Sequence, residues 1–120
     1  MRARILIVED SHLVTEALSI LFTEAGYEVD TAATVAEAVE RGTSQAPDLI
    51  LLDISLPDGS GLQLLDTLRE KGVSPRATLA MTGHNDSESR RQCIEAGCAE
   101  VLLKPVPIGE LLRHIKRLLE

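Results

Sequence analysis

Two four-residue runs without a polar interruption, Ile5-Leu6-Ile7-Val8 and Leu49-Ile50-Leu51-Leu52, organise the chain. Apolar residues that do not alternate with polar ones predict strands covered on both faces. Residues 77–81 are a weaker copy of the pattern and 101–103 a short one, while residues 28–32 alternate more and suit an edge strand. Between these runs the apolar spacing becomes helical. The first helix is expected over about residues 12–25, with Leu13, Ala17, Ile20 and Leu21 on one face and Gly26 as its stop. Thr34-Val35-Ala36-Glu37 reads as a capping box that opens the second. The third is expected from Ser60, with Gln63 placed to complete a similar box and Leu64, Leu65 and Leu68 on its apolar face. The fourth is expected from near Asn85, and the fifth carries Ile108, Leu111, Leu112, Ile115, Leu118 and Leu119. Five β-α repeats predict an α/β domain, with a parallel sheet, right-handed crossovers and helices on both faces.

The length of 120 residues fits one domain spanning 1–120, large enough to fold without a disulfide or structural metal. Nineteen acidic against twelve basic side chains leave a net charge of −7. Direct nucleic-acid binding needs a basic face, so this balance argues against it, and equally against docking on anionic membranes. Cys93 and Cys98 match no zinc-ligand spacing and read as reduced thiols. The run from Ile5 ends in two acids at Glu9-Asp10 and is too short for a signal peptide or a membrane span, so a cytoplasmic location is expected.

The polar residues that close the strands carry the chemistry. Glu9 and Asp10 follow the first predicted strand, Asp53 ends the third, Thr82 the fourth and Lys104 the fifth. In an open parallel sheet these ends share one edge, where ligands bind. Two unit charges ~5 Å apart repel by roughly 3 kcal/mol at an effective dielectric of about 20, so three carboxylates there call for a cation. Mg²⁺ suits a few carboxylates, waters and a phosphate oxygen. A carboxylate can form an acyl phosphate, which makes Asp53 the candidate nucleophile. Lys104 and the Thr82 hydroxyl can each hold a phosphoryl oxygen, and backbone N–H groups after Asp53 a third. Taken singly, Asp10 is as readily a helix N-cap, Lys104 a solvated lysine, and Pro57, Gly59 and Gly61 turn residues.

Four segments in this order, each at a strand end, resemble the receiver domain of two-component response regulators. They are Glu9-Asp10; Asp53-Ile54-Ser55-Leu56-Pro57-Asp58-Gly59-Ser60-Gly61; Thr82-Gly83; and Leu103-Lys104-Pro105. The resemblance covers the whole chain and implies a doubly wound, flavodoxin-like (βα)5 fold with strand order 2-1-3-4-5. It implies that Asp53 takes phosphate from a phosphohistidine on a sensor histidine kinase or a histidine phosphotransfer protein. It also implies that Asp10 and Asp53 ligate Mg²⁺ by side chain, Glu9 through water and Ser55 by its backbone carbonyl. Thr82 and Lys104 would contact the phosphoryl group, and the Lys104–Pro105 peptide would be cis. The face built from the fourth helix, fifth strand and fifth helix would then shift to regulate a partner or an output domain, and pairing of phosphorylated copies is one use of such a face.

One departure stands out. Members often carry Tyr or Phe three residues before the lysine, and here that position is Val101, so read-out is expected without an aromatic rotamer switch. Ser55 and His84, two residues past Asp53 and Thr82, flank the path of attacking water in this fold and are expected to tune the lifetime of the acyl phosphate. A haloacid dehalogenase-type phosphatase would want a second Asp where Ser55 stands. A flavin domain of this topology would not place Glu9-Asp10 against a phosphate. A receiver kept only as a scaffold would not need the full set of Asp10, Asp53, Thr82 and Lys104. The domain is therefore read as a phosphoacceptor and not as a multiple-turnover enzyme; its Met1 favours a free or N-terminal receiver.

Overall fold

The computed structural model describes residues 2–56, 58–83 and 87–120, and at Ser55 the backbone alone. Strands β1 (Arg4–Val8), β2 (Glu28–Ala32), β3 (Leu49–Asp53), β4 (Ala77–Thr82) and β5 (Glu100–Leu103) alternate with helices α1 (His12–Glu24), α2 (Val35–Ser44), α3 (Gly61–Glu70), α4 (Ser87–Glu95) and α5 (Ile108–Leu119). The strands form one sheet in the order β2-β1-β3-β4-β5, with every neighbouring pair parallel. The fold is therefore the expected doubly wound α/β architecture with order 2-1-3-4-5.

The unbroken apolar runs are explained by two cores. Leu6, Val8, Ile50, Leu52 and Ala80 face one side, against Ala38 of α2, Leu64, Leu65 and Leu68 of α3 and Cys93 of α4. Ile5, Ile7, Leu49, Leu51, Leu79 and Met81 face the other, against Leu18 and Phe22 of α1 and Leu111 and Ile115 of α5. Burying each large apolar side chain contributes about 2 kcal/mol, which favours the unbroken apolar runs Ile5–Val8 and Leu49–Leu52 between the two cores. Cys93 and Cys98 are free and buried; burial and the neighbouring Cys93 push the Cys98 thiol up to about 12, as suits inert thiols.

Local chemistry sets the helix ends. Gly26, at φ 100°, ends α1, with Tyr27 N–H donating to the Phe22 carbonyl at 3.1 Å. At α2 the Thr34 hydroxyl accepts from Glu37 N–H at 3.1 Å, while the Glu37 carboxylate reaches past Thr34 to accept from Ala33 N–H at 3.1 Å. Ser60 Oγ accepts from Leu62 N–H at 3.2 Å, one residue short of the expected box with Gln63. Helix α4 begins at Ser87, and the expected start at Asn85 lies outside the described residues.

Two expectations need correction. The buried face of α1 is Leu18 and Phe22 with Leu21 beside them, whereas Leu13 and Ile20 are 82% and 57% exposed. Apolar residues occupy both sides of this helix, and the sheet selects the side that holds Phe22. The segment after Asp53 is also more ordered than a plain turn: Ser55–Leu56 and Gly59–Ser60 pair antiparallel as a short ribbon. The ribbon folds back so tightly that a Cβ on Gly61 would lie 2.8 Å from the Asp53 carbonyl oxygen and 2.9 Å from Leu52 Cδ1. Gly61→Ala is predicted to destabilise the protein by about 2 kcal/mol, because backbone must give way; urea denaturation measures the loss.

Candidate functional site at the carboxyl edge of the sheet

Glu9 and Asp10 follow β1, Asp53 and Thr82 close β3 and β4, and Lys104 follows β5. Because these strands are parallel, all five residues come to one edge. Hydrogen bonding of the sheet continues into each loop. Glu9 N–H donates to the Ala32 carbonyl at 3.0 Å, Ile54 N–H to Met81 at 3.1 Å and Lys104 N–H to Thr82 at 2.8 Å. Side chains at these positions therefore inherit the rigidity of the sheet.

The geometry brings the charged set together. Lys104 Nζ donates to Asp53 Oδ2 at 3.0 Å and to Glu9 Oε1 at 3.2 Å. Glu9, Asp10 and Asp53 each offer a carboxylate oxygen, and these oxygens lie within 4.8 Å of one another. Glu9 and Asp53 are buried and Asp10 is exposed. Ser11, not Asp10, caps α1, accepting from Val14 N–H, so the Asp10 carboxylate is left to the cluster. Glu9 Oε2 also accepts from the backbone N–H groups of Asp10 and Ser11, at 2.9 and 3.4 Å. Thr82 is buried at the same edge. The Lys104–Pro105 peptide is cis, as expected.

Among the described residues, three carboxylates against one ammonium leave a net negative charge. Burial, followed by hydrogen bonds shared with Asp53 and Asp10, raises the Glu9 carboxyl above its ordinary range, and Lys104 offsets only part of this. Burial pulls the Lys104 ammonium down, but its bonds to Asp53 and Glu9 outweigh that and raise it overall. Oxygens of this kind, spaced within 4.8 Å, fit a hard divalent cation, whose opposite ligands stand about 4.2 Å apart when the ion is small. The cluster can hold a metal.

Other expected positions are less central. Val101 is buried in the core with Ala80 and Cys93, and its carbonyl accepts from Arg90 Nη1 of α4 at 3.3 Å. His84 and the side chain of Ser55 lie outside what is described. His114 is half-buried and pairs with Glu100 of β5, which also meets Arg117. Sequence reasoning missed an apolar groove of about 360 Å³ beside the charged edge, lined by Leu13, Val14, Pro105 and Ile108 and reaching Glu9 and Lys104. Its signals were the exposed apolar residues Leu13 and Val14 on α1 and Ile108 on α5.

A profile of the response regulator receiver domain matches residues 5–116. The chain belongs to the response regulator receiver domain family. The TorCAD operon transcriptional regulatory protein TorR of Escherichia coli K12 is 39% identical over 119 residues, 99% of this chain and 51% of that protein. The transcriptional regulatory protein KdpE of Mycobacterium tuberculosis CDC 1551 is 32% identical over 112 residues, 93% of this chain and 49% of that protein. The chain thus spans about half the length of the curated relatives it matches. Among solved structures, a CheY-like response regulator receiver domain protein from Methanospirillum hungatei is 31% identical, with a TM-score of 0.89 over 99% of this chain and 94% of that one.

The raised Glu9 carboxyl gives the metal-free receiver a defined pH dependence. Its folded form keeps a proton that the unfolded chain releases near 4.5, so stability falls as pH rises from 4.5 through the raised folded value. Glu9→Gln is predicted to remove that slope and to raise stability at neutral pH by on the order of 1 kcal/mol, as repulsion is relieved. Urea denaturation across pH without divalent ions checks both.

Proposed function

We propose that this receiver accepts a phosphoryl group on Asp53 from a phosphohistidine of a sensor histidine kinase or histidine phosphotransfer protein, with Mg²⁺ beside it. The observation that carries this reading is the Lys104 ammonium 3.0 Å from the Asp53 carboxylate, within an acidic cluster open at Asp10. A carboxylate oxygen of Asp53 attacks phosphorus; the new O–P bond forms as the N–P bond breaks, and its electron pair stays on the imidazole of the donor. Lys104 leaves its bonds with Asp53 and Glu9 to hold a phosphoryl oxygen as a point charge. Thr82 donates its hydroxyl to a second oxygen, and backbone N–H groups after Asp53 serve the third. Asp10 and Asp53, with Glu9 through water and the Ser55 carbonyl, would hold the metal. Mg²⁺ supplies charge shielding between the carboxylates and the incoming phosphoryl group.

Further roles belong to this reading. A donor protein would seat on the apolar groove that reaches Glu9 and Lys104. Ser55 and His84 set how fast water removes the phosphoryl group. The signal leaves through α4, β5 and α5 to a partner or output domain. With Val101 at the inner position, α4 follows β5 through core packing and the Arg90 bond and not through a swinging ring. Residues 1–120 act as one receiver in the cytoplasm, turning over only their own acyl phosphate.

Incubation with acetyl phosphate and Mg²⁺ is predicted to add one phosphoryl mass to the wild type and none to Asp53→Asn. Lys104→Ala is predicted to slow loading about a hundredfold and Thr82→Ala about tenfold. Steady turnover of small phosphate esters, or loading that survives Asp53→Asn, would overturn the reading.

A further inference from the structure

The ribbon after Asp53 is fastened at both ends. At its base Gly61 N–H donates to the Ile54 carbonyl at 2.9 Å, and Ser55 pairs with Ser60. Beyond the Leu56–Gly59 pair, Asp58 reaches a different element. Its Oδ1 accepts from Val35 N–H at 2.8 Å and its Oδ2 from Ala36 N–H at 3.2 Å. These are the first two N–H groups of α2, which have no partner within their own helix. Thr34 Oγ1 takes the third, at Glu37. The helix end is thus capped by two residues, one local and one twenty-three positions away.

The bonds are exposed, yet they form with a full charge at the positive end of a helix dipole. The bond from Val35 is the main reason that the Asp58 carboxyl stays below its ordinary range; the little burial present opposes this, and Ala36 adds to it. Helix α2 follows β2, which pairs with β1, and Glu9 N–H bonds to Ala32 at the end of β2. Asp58 therefore ties the ribbon to the same side of the sheet that carries Glu9 and Asp10.

We propose that Asp58 is a positioning residue for phosphoryl acceptance, holding the Ser55 backbone at a fixed place relative to Glu9 and Asp10 by clasping the N-terminus of α2. The inference rests on the phosphoacceptor reading above. With the clasp released, the ribbon divides its time among several positions, and only a fraction of molecules presents the full set of oxygens. Apparent cation affinity falls by that fraction, while a molecule with its cation bound reacts at its usual rate.

The test compares Mg²⁺ binding by titration calorimetry in the wild type, Asp58→Ala, Asp58→Asn and Thr34→Ala, with acetyl phosphate loading followed against Mg²⁺ concentration. Asp58→Ala is expected to weaken the Mg²⁺ Kd about fivefold and to move the loading curve to higher Mg²⁺ by the same factor, with its plateau within about twofold of wild type. Asp58→Asn keeps one accepting oxygen and should lie between the two. Thr34→Ala weakens the same helix end without touching the ribbon, and should leave the Mg²⁺ Kd within about twofold. A wild-type Kd in Asp58→Ala, or an equal loss in Thr34→Ala, would overturn the proposal. If the wild type took no phosphoryl group, the calorimetric comparison would still decide the clasp.

Discussion

Among the described residues at the carboxyl edge of the sheet one ammonium faces three carboxylates, and much of the molecule serves to keep them there. Left to themselves, Glu9, Asp10 and Asp53 would separate, since their oxygens lie within 4.8 Å of one another. Lys104 binds two of the three. The remainder is held by geometry: each side chain sits at or just past the end of a strand whose neighbours fix its backbone. Two apolar cores, one on each face, supply the free energy that tolerates this local repulsion. The site is in this sense preorganised for positive charge.

The connections around the site follow from the same constraint. Ser11 takes the capping task at α1 and releases Asp10. Gly61 lets the ribbon fold back onto the Asp53 carbonyl, where any side chain would collide. Asp58 ties the far end of the ribbon to α2. Val101, packed against Cys93 and Ala80, joins the edge that carries Lys104 to α4 without an aromatic ring. Backbone elements packed in this way connect the site to α4.

What could be read from the sequence was set by how local each signal is. The runs at Ile5–Val8 and Leu49–Leu52 announce buried strands because nothing else explains four apolar residues in a row. The site followed from the parallel arrangement, since strand-end residues must then share an edge, and Glu9, Asp10, Asp53, Thr82 and Lys104 do so. Which side of α1 faces the sheet was not legible, because Leu13 and Ile20 are as apolar as Leu18 and Phe22 and only tertiary packing separates them. The Asp58 clasp was invisible for another reason: its partners are backbone N–H groups of Val35 and Ala36, which leave no mark on side-chain identity. The Glu100 pairing with His114 likewise joins a strand to a helix that sequence spacing does not relate.

The folded receiver concentrates negative charge at this edge, and a divalent cation bound there would relieve it. The unfolding midpoint of the wild-type protein, followed as MgCl2 is added at constant ionic strength, tests it most directly. Binding to the folded form alone predicts a midpoint that rises steadily with the logarithm of Mg²⁺ concentration once the dissociation constant is passed, with no comparable rise for NaCl. A midpoint that responds to Mg²⁺ no more than to NaCl would contradict the account.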